Sequence, residues 1–164
     1  MSTKKIAFLG LSIAIALILS YIESQIPALI AIPGIKAGLP NLIIIVLLYK
    51  VGWKEAVVVS ILRIFLVSLL FGNVQTMTFS LAGATVSLLS MILLKKLGDF
   101  SCITVSIVGG VFHNVGQIVT ACLWTLTAQV AYYLPVLLVS GTLAGAVIGF
   151  IAGILVKRLE KIKF

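Results

Sequence analysis

Pro40-Asn41-Leu42-Ile43-Ile44-Ile45-Val46-Leu47-Leu48-Tyr49-Lys50-Val51-Gly52 is the stretch on which the fold turns. Its core is unbroken Leu, Ile and Val, yet thirteen residues of helix cover only about 20 Å of a hydrocarbon layer about 30 Å thick. Read as a membrane span, it is the second of six apolar runs, at 6–22, 40–52, 55–71, 76–94, 102–125 and 134–156. The composition agrees with an all-α integral membrane protein. Of 164 residues, 62% are apolar and 10% charged, and the mean hydropathy of +1.30 lies beyond that of water-soluble domains.

Counting 40–52 as a span also orders the charge. With six alternating helices, Lys4, Lys5, Lys50, Lys54, Lys95, Lys96, Lys157, Arg158, Lys161 and Lys163 fall on one side, Lys36 falls on the other, and Arg63 lies inside a span. By the positive-inside rule this predicts a multi-pass cell-membrane protein with both termini cytoplasmic, and adding or dropping one span destroys the pattern. A net charge of +8 would suggest nucleic acid in a soluble chain. Here it sets orientation, and no nucleic-acid partner is expected. Lys4 and Lys5 precede an apolar run as in a signal peptide, but no small-x-small cleavage site follows, so 6–22 reads as a retained helix. Without repeats or a long linker, residues 1–164 read as one domain.

The four acids, Glu23, Glu55, Asp99 and Glu160, stand singly, whereas acid–base and two-metal chemistry needs clusters. Cys102 and Cys122 lie on one predicted helix about 30 Å apart, too far for a disulfide. No catalytic residue, metal or cofactor is expected, and without a Walker motif any ATP-driven step needs partners.

The polar residues inside the spans suggest a binding site instead. Residues 26–39 are apolar but broken by Pro27, Pro33, Gly34 and Gly38, a poor continuous helix. This predicts a 24–39 loop that dips into the outer half of the bundle over a cavity; resting on the headgroups is the alternative. Arg63 sits at the middle of the third span, where a charge costs at least about 2.5 kcal/mol. No acid lies at its depth, so carbonyls, water, neutral polar groups or an anionic ligand must meet it, although its length could carry it toward Glu23. On the fifth span His113 and Gln117 share a face, with Asn114 beside them. These residues read as a polar pocket at the depth of Arg63, or as hydrogen-bonding ties between helices. Between the third and fourth spans, Asn73 and Gln75 are placed near the mouth, with helix capping as the alternative for Asn73. Lys36 joins the candidate ligand contacts from the outer loop.

Small residues mark close helix contacts. Gly141, Gly145, Gly149 and Gly153 form a ridge on the sixth span. The first span carries Gly10 and Ala14, and a second row of Ser12, Ala16 and Ser20. One ridge can serve internal contacts while another meets a second protein.

Lys4-Lys5-Ile6-Ala7, Ile32-Pro33-Gly34-Ile35-Lys36-Ala37-Gly38-Leu39-Pro40-Asn41, Leu62-Arg63-Ile64 with Phe71-Gly72-Asn73, and Gly110-Val111-Phe112-His113-Asn114-Val115-Gly116-Gln117 together carry a family resemblance. Over nearly its whole length the chain resembles the Gx transporter family, also catalogued as heptaprenyl diphosphate synthase component I. That family is similar to the S components of energy-coupling factor (ECF) transporters. The resemblance implies a six-helix S-component-like bundle that holds a small-molecule substrate near the outer face under the loop between its first two helices. It implies docking on an ECF coupling subunit served by ATPases through a small-xxx-small motif, matched here by Gly10 and Ala14, with Gly in place of the usual Ala. The synthase name suggests the alternative of a non-catalytic membrane accessory to heptaprenyl diphosphate or isoprenoid-quinone synthesis. Prenyl synthases hold magnesium diphosphate on aspartate-rich motifs, and this chain has a single aspartate, Asp99. A free-standing channel or solitary carrier is a third reading.

Overall fold

The computed structural model describes residues 3–25 and 38–161. They form six α-helices, α1 (Thr3–Gln25), α2 (Asn41–Lys50), α3 (Trp53–Leu70), α4 (Val74–Leu97), α5 (Cys102–Thr125) and α6 (Leu134–Arg158), with a 3₁₀ helix at Ala128–Tyr133 and no strand among the described residues. The α5 bounds coincide with the apolar run at 102–125. By contrast α1, α4 and α6 run past theirs, because backbone hydrogen bonding continues into the flanking basic and polar residues. Local chemistry sets several ends. Asn73 Oδ1 accepts the Thr76 N–H at 2.8 Å to open α4, and Ser101 Oγ accepts the Thr104 N–H at 3.2 Å to open α5.

Four helical stretches, α1, α4, α5 and Ala128–Arg158, are long and apolar enough to cross a membrane. The other two fall short for separate reasons: α2 has 10 residues, and α3, with 18, carries Lys54, Glu55 and Arg63. Every residue from Ile43 to Leu48 is buried, as expected of a helix that is apolar all round and sits at the centre of a bundle. It touches α1, α3, α5 and α6. The core is apolar but also encloses polar side chains, and the surface is largely apolar. Ser12, Ser20, Ser60, Arg63, Ser87, Ser106, Asn114 and Gln117 are buried, whereas Ile6, Leu69, Leu89, Leu123, Leu143 and Phe150 are exposed. Such a surface suits lipid as the surrounding solvent.

Close helix approach is concentrated on α5, which packs against α4 on one side and α6 on the other. A Cβ on Gly110 would lie 2.5 Å from the Gly141 carbonyl oxygen, one on Gly145 2.7 Å from Ile107 Cα, and one on Gly149 2.6 Å from Ile103 Cα. Hence the α6 ridge serves α5 internally at Gly141, Gly145 and Gly149. Gly153 stands apart, its nearest neighbour being Cys102 Cβ at 3.9 Å. On α1 the two rows separate: Ser12, Ala16 and Ser20 are buried, while Gly10 and Ala14 face outward, with no atom near the position of a Gly10 Cβ.

The basic side chains gather at one end of the bundle. Lys5 pairs with Glu55 at 2.5 Å, the Lys95 ammonium donates to the Leu48 carbonyl, and the Lys54 and Lys96 ammonium groups both lie within 6 Å of the Trp53 ring.

Candidate functional site

A cavity lies beside the N-terminal part of α2. The ten residues of α2 span about 15 Å, half the depth of a bilayer core, and Pro40, Asn41 and Ile45 contribute to the cavity wall. The free volume of the cavity is small, about 70 Å³, and all six helices line it. Glu23 comes from α1, Asn41 and Ile45 from α2, Arg63 from α3, Ser80 and Ser87 from α4, Ser106, His113 and Asn114 from α5, and Gly141, Gly145 and Ile148 from α6.

Arg63 is 8% exposed. Its Nη1 donates to Ser20 Oγ at 3.4 Å, and that hydroxyl in turn donates to the Ala16 carbonyl at 2.8 Å. The Arg63 Nε is buried and has no hydrogen-bond partner among the described residues. Glu23 faces the same cavity without forming an ion pair with Arg63; its Oε1 accepts the N–H groups of Gly38 and Leu39. This carboxylate ties the end of α1 to the turn that opens α2. Gly38, at φ +72°, adopts the left-handed conformation there that a side chain disfavours. The first N–H groups of α2 close onto Gly38, Leu39 and Pro40 carbonyls in i to i+3 bonds, so the helix begins without a side-chain cap.

Asn114 lines the cavity with its amide anchored: Nδ2 donates to the Leu137 carbonyl at 2.6 Å, and Gly141 leaves room for it, since a Cβ there would lie 2.8 Å from that nitrogen. The His113 ring lies against Gly83 of α4, whose Cβ would fall 2.9 Å from Cε1. The fold thus brings Arg63, His113 and Asn114 to one cavity. Gln117 is buried one turn further along α5 but does not line it. Asn73 and Gln75 are exposed: the Asn73 side chain caps α4, and the Gln75 carbonyl accepts the Thr78 hydroxyl at 2.8 Å. Lys36 and most of the 24–39 loop lie outside the described residues.

Sequence reasoning missed the serines of the cavity and the part of Asn41. Ser80 and Ser87, seven residues apart on α4, present one helical face, a spacing that signals a shared lining. Because Ser and Thr are common in spans as small interface residues, that signal alone does not separate a cavity wall from a helix contact. Among the described residues no group of three His, Cys, Asp or Glu is placed to hold a metal ion.

A family model described as heptaprenyl diphosphate synthase component I matches residues 12–155. No curated protein and no solved structure matches the chain.

Proposed function

The chain belongs to the heptaprenyl diphosphate synthase component I family, and from that premise, together with the cavity around Arg63, we propose that it is the substrate-binding membrane subunit of a small-molecule uptake transporter. The observation that carries this reading is a guanidinium nine-tenths buried, its Nε without a partner among the described residues, lining a cavity shared with His113 and Asn114. A buried cation with a carboxylate, Glu23, facing the same cavity but not in contact with it is still costly, and a guest that brings a counter-charge into contact offsets that cost. The substrate is therefore a small molecule with an anionic group, its remaining surface mixed polar and apolar to match serine hydroxyls beside Ile45 and Ile148.

The full topology belongs to the same reading. All six helices span, with both termini cytoplasmic, and α3 keeps Lys54 and Glu55 at the basic end. Substrate enters from the outer face under the 24–39 loop, in the manner of an ECF S component. Energy comes from an ECF coupling subunit with ATPases, for which Gly10 and Ala14 offer an exposed, sterically open strip on α1. The chain itself is not an enzyme; its single aspartate, Asp99, is exposed in the turn after α4 and cannot assemble a magnesium diphosphate site.

The family description favours a second reading, a non-catalytic accessory to heptaprenyl diphosphate or quinone synthesis. In that case the α6 glycine ridge is not the recruiting surface, since α5 occupies it, and the basic-end lysines remain for that purpose.

Two measurements test these readings. Thermal stability of the purified protein is followed against vitamins, flavins, quinone precursors and prenyl phosphates. An anionic ligand is expected to raise the melting temperature of the wild type and to lose that effect in Arg63→Ala and Asn114→Ala; a stabilisation that survives both substitutions removes the site assignment. Co-purification then separates the readings: a coupling subunit with ATPases supports transport, a soluble aspartate-rich synthase supports the accessory.

A further inference from the structure

The basic end carries a second feature, separate from the cavity and independent of its ligand. Trp53, 46% exposed at the start of α3, has the Lys54 ammonium 5.7 Å and the Lys96 ammonium 5.8 Å from its ring centroid. Beside it a groove of about 470 Å³ between atoms, part of it open, is lined by Leu48, Gly52, Trp53, Ile92, Lys95 and Lys96. The nearby acid, Glu55, is held by Lys5, and among the described residues neither Lys54 nor Lys96 forms an ion pair. Lys95 donates to the Leu48 carbonyl and lies 4.5 Å from the Tyr49 ring, so it adds charge to the groove while staying fixed.

Two exposed apolar tracks lead away from these cations. On α3, Val58 and Leu62 follow Lys54 at intervals of four residues; on α4, Leu89 and Leu93 precede Lys96 on the same helical face. A ligand complementary to this surface has a negative head for the two ammonium groups, an amphipathic junction for the indole, and hydrocarbon for the tracks. Free phosphate satisfies only the first demand. A zwitterionic headgroup carries its own cation toward Lys54 and Lys96.

We propose that Trp53, Lys54 and Lys96 form a binding site for the headgroup of an anionic glycerophospholipid, whose phosphodiester bridges the two lysines while its acyl chains lie along the α3 and α4 tracks. Basic pockets between membrane helices take anionic lipids by this combination of charge and burial, and indole rings settle at the headgroup level.

Native mass spectrometry of the full chain, released from detergent with phosphatidylglycerol and phosphatidylcholine in equal amounts, tests the site. Wild type should retain phosphatidylglycerol over phosphatidylcholine by about tenfold, as two lysines acting together allow. The preference should fall to about twofold or less in the Lys54→Gln/Lys96→Gln pair, and stay at the wild-type level in Lys157→Gln/Lys161→Gln, which removes the same charge elsewhere on the chain. Circular dichroism of each variant verifies retained helix. Equal loss in both pairs would reduce the effect to overall charge and overturn the site. So would a melting-temperature gain from millimolar inorganic phosphate as large as that from phosphatidylglycerol, which would assign the lysines to a soluble anion.

Discussion

At the scale of single residues, Arg63 and Asn114 are two buried polar groups that differ in what they do for the fold. Asn114 gives its amide hydrogen to a carbonyl of α6 in a site shaped by Gly141, whereas among the described residues Arg63 makes one long hydrogen bond and its Nε has no partner. Removing a tied group costs stability; replacing a buried charge that has no direct ion pair by an apolar side chain of similar length does not. Ligand-free Arg63→Met is therefore expected to melt no lower than wild type, and Asn114→Ala to lose about 0.6–1.7 kcal/mol, the range of interhelical hydrogen bonds in membranes. Thermal unfolding in detergent decides the contrast. A marked loss of stability in Arg63→Met would make Arg63 a structural tie between α1 and α3. The sequence made Arg63 conspicuous because charge at mid-span is rare, and it placed His113 and Asn114 at a similar depth. It left open whether Asn114 meets ligand or helix, because that depends on Leu137, twenty-three residues away, having its carbonyl within reach.

At the scale of elements, α5 is the piece against which the others are set. The regular four-residue recurrence of Gly141, Gly145, Gly149 and Gly153 is plain in the sequence, but its partner is not, and its members turn out to be unequal. A side chain at Gly145 runs into the α5 backbone at Ile107, while one at Gly153 meets only ordinary van der Waals distance. Gly145→Val should force α5 and α6 apart and cost about 1–3 kcal/mol, the usual penalty of overpacking. Gly153→Ala should leave the melting temperature near that of wild type. If the two substitutions behave alike, the close approach along α6 is not what holds these helices. The α1 rows divide similarly: Ser12, Ala16 and Ser20 face inward, and Gly10 and Ala14 stay open. The central place of α2 follows from its apolar character all round. Its N-terminal part, at Asn41 and Ile45, contributes to the cavity wall.

At the scale of the whole molecule, Lys5, Lys54, Lys95 and Lys96 gather at one end of the bundle, the end that the positive-inside rule would assign to the cytoplasm. The turn with Asn73 and the turn with Asp99 stand at the two ends of α4. In a cysteine-free background, Asn73→Cys should react with a membrane-impermeant maleimide on intact cells, and Asp99→Cys only after lysis. The reverse labelling would invert the protein and move the cavity mouth to the cytoplasm. Equal labelling of both before lysis would remove α4 from the set of spanning helices.

The sequence by itself determined the all-helical class, the six α-helices among the described residues and the bounds of α5. Those follow from hydropathy, charge and capping groups, all of which act along the chain over short range. The tertiary structure alone decided which face of each helix turns inward, that Gly141, Gly145 and Gly149 meet α5, that Glu23 holds Gly38 and Leu39, and that six helices share one cavity. In a chain whose outer surface is as apolar as its core, hydrophobicity does not distinguish inside from outside. Helix rotation is set instead by where backbones can come closest and where buried polar groups find partners, and these are relations between residues far apart in sequence.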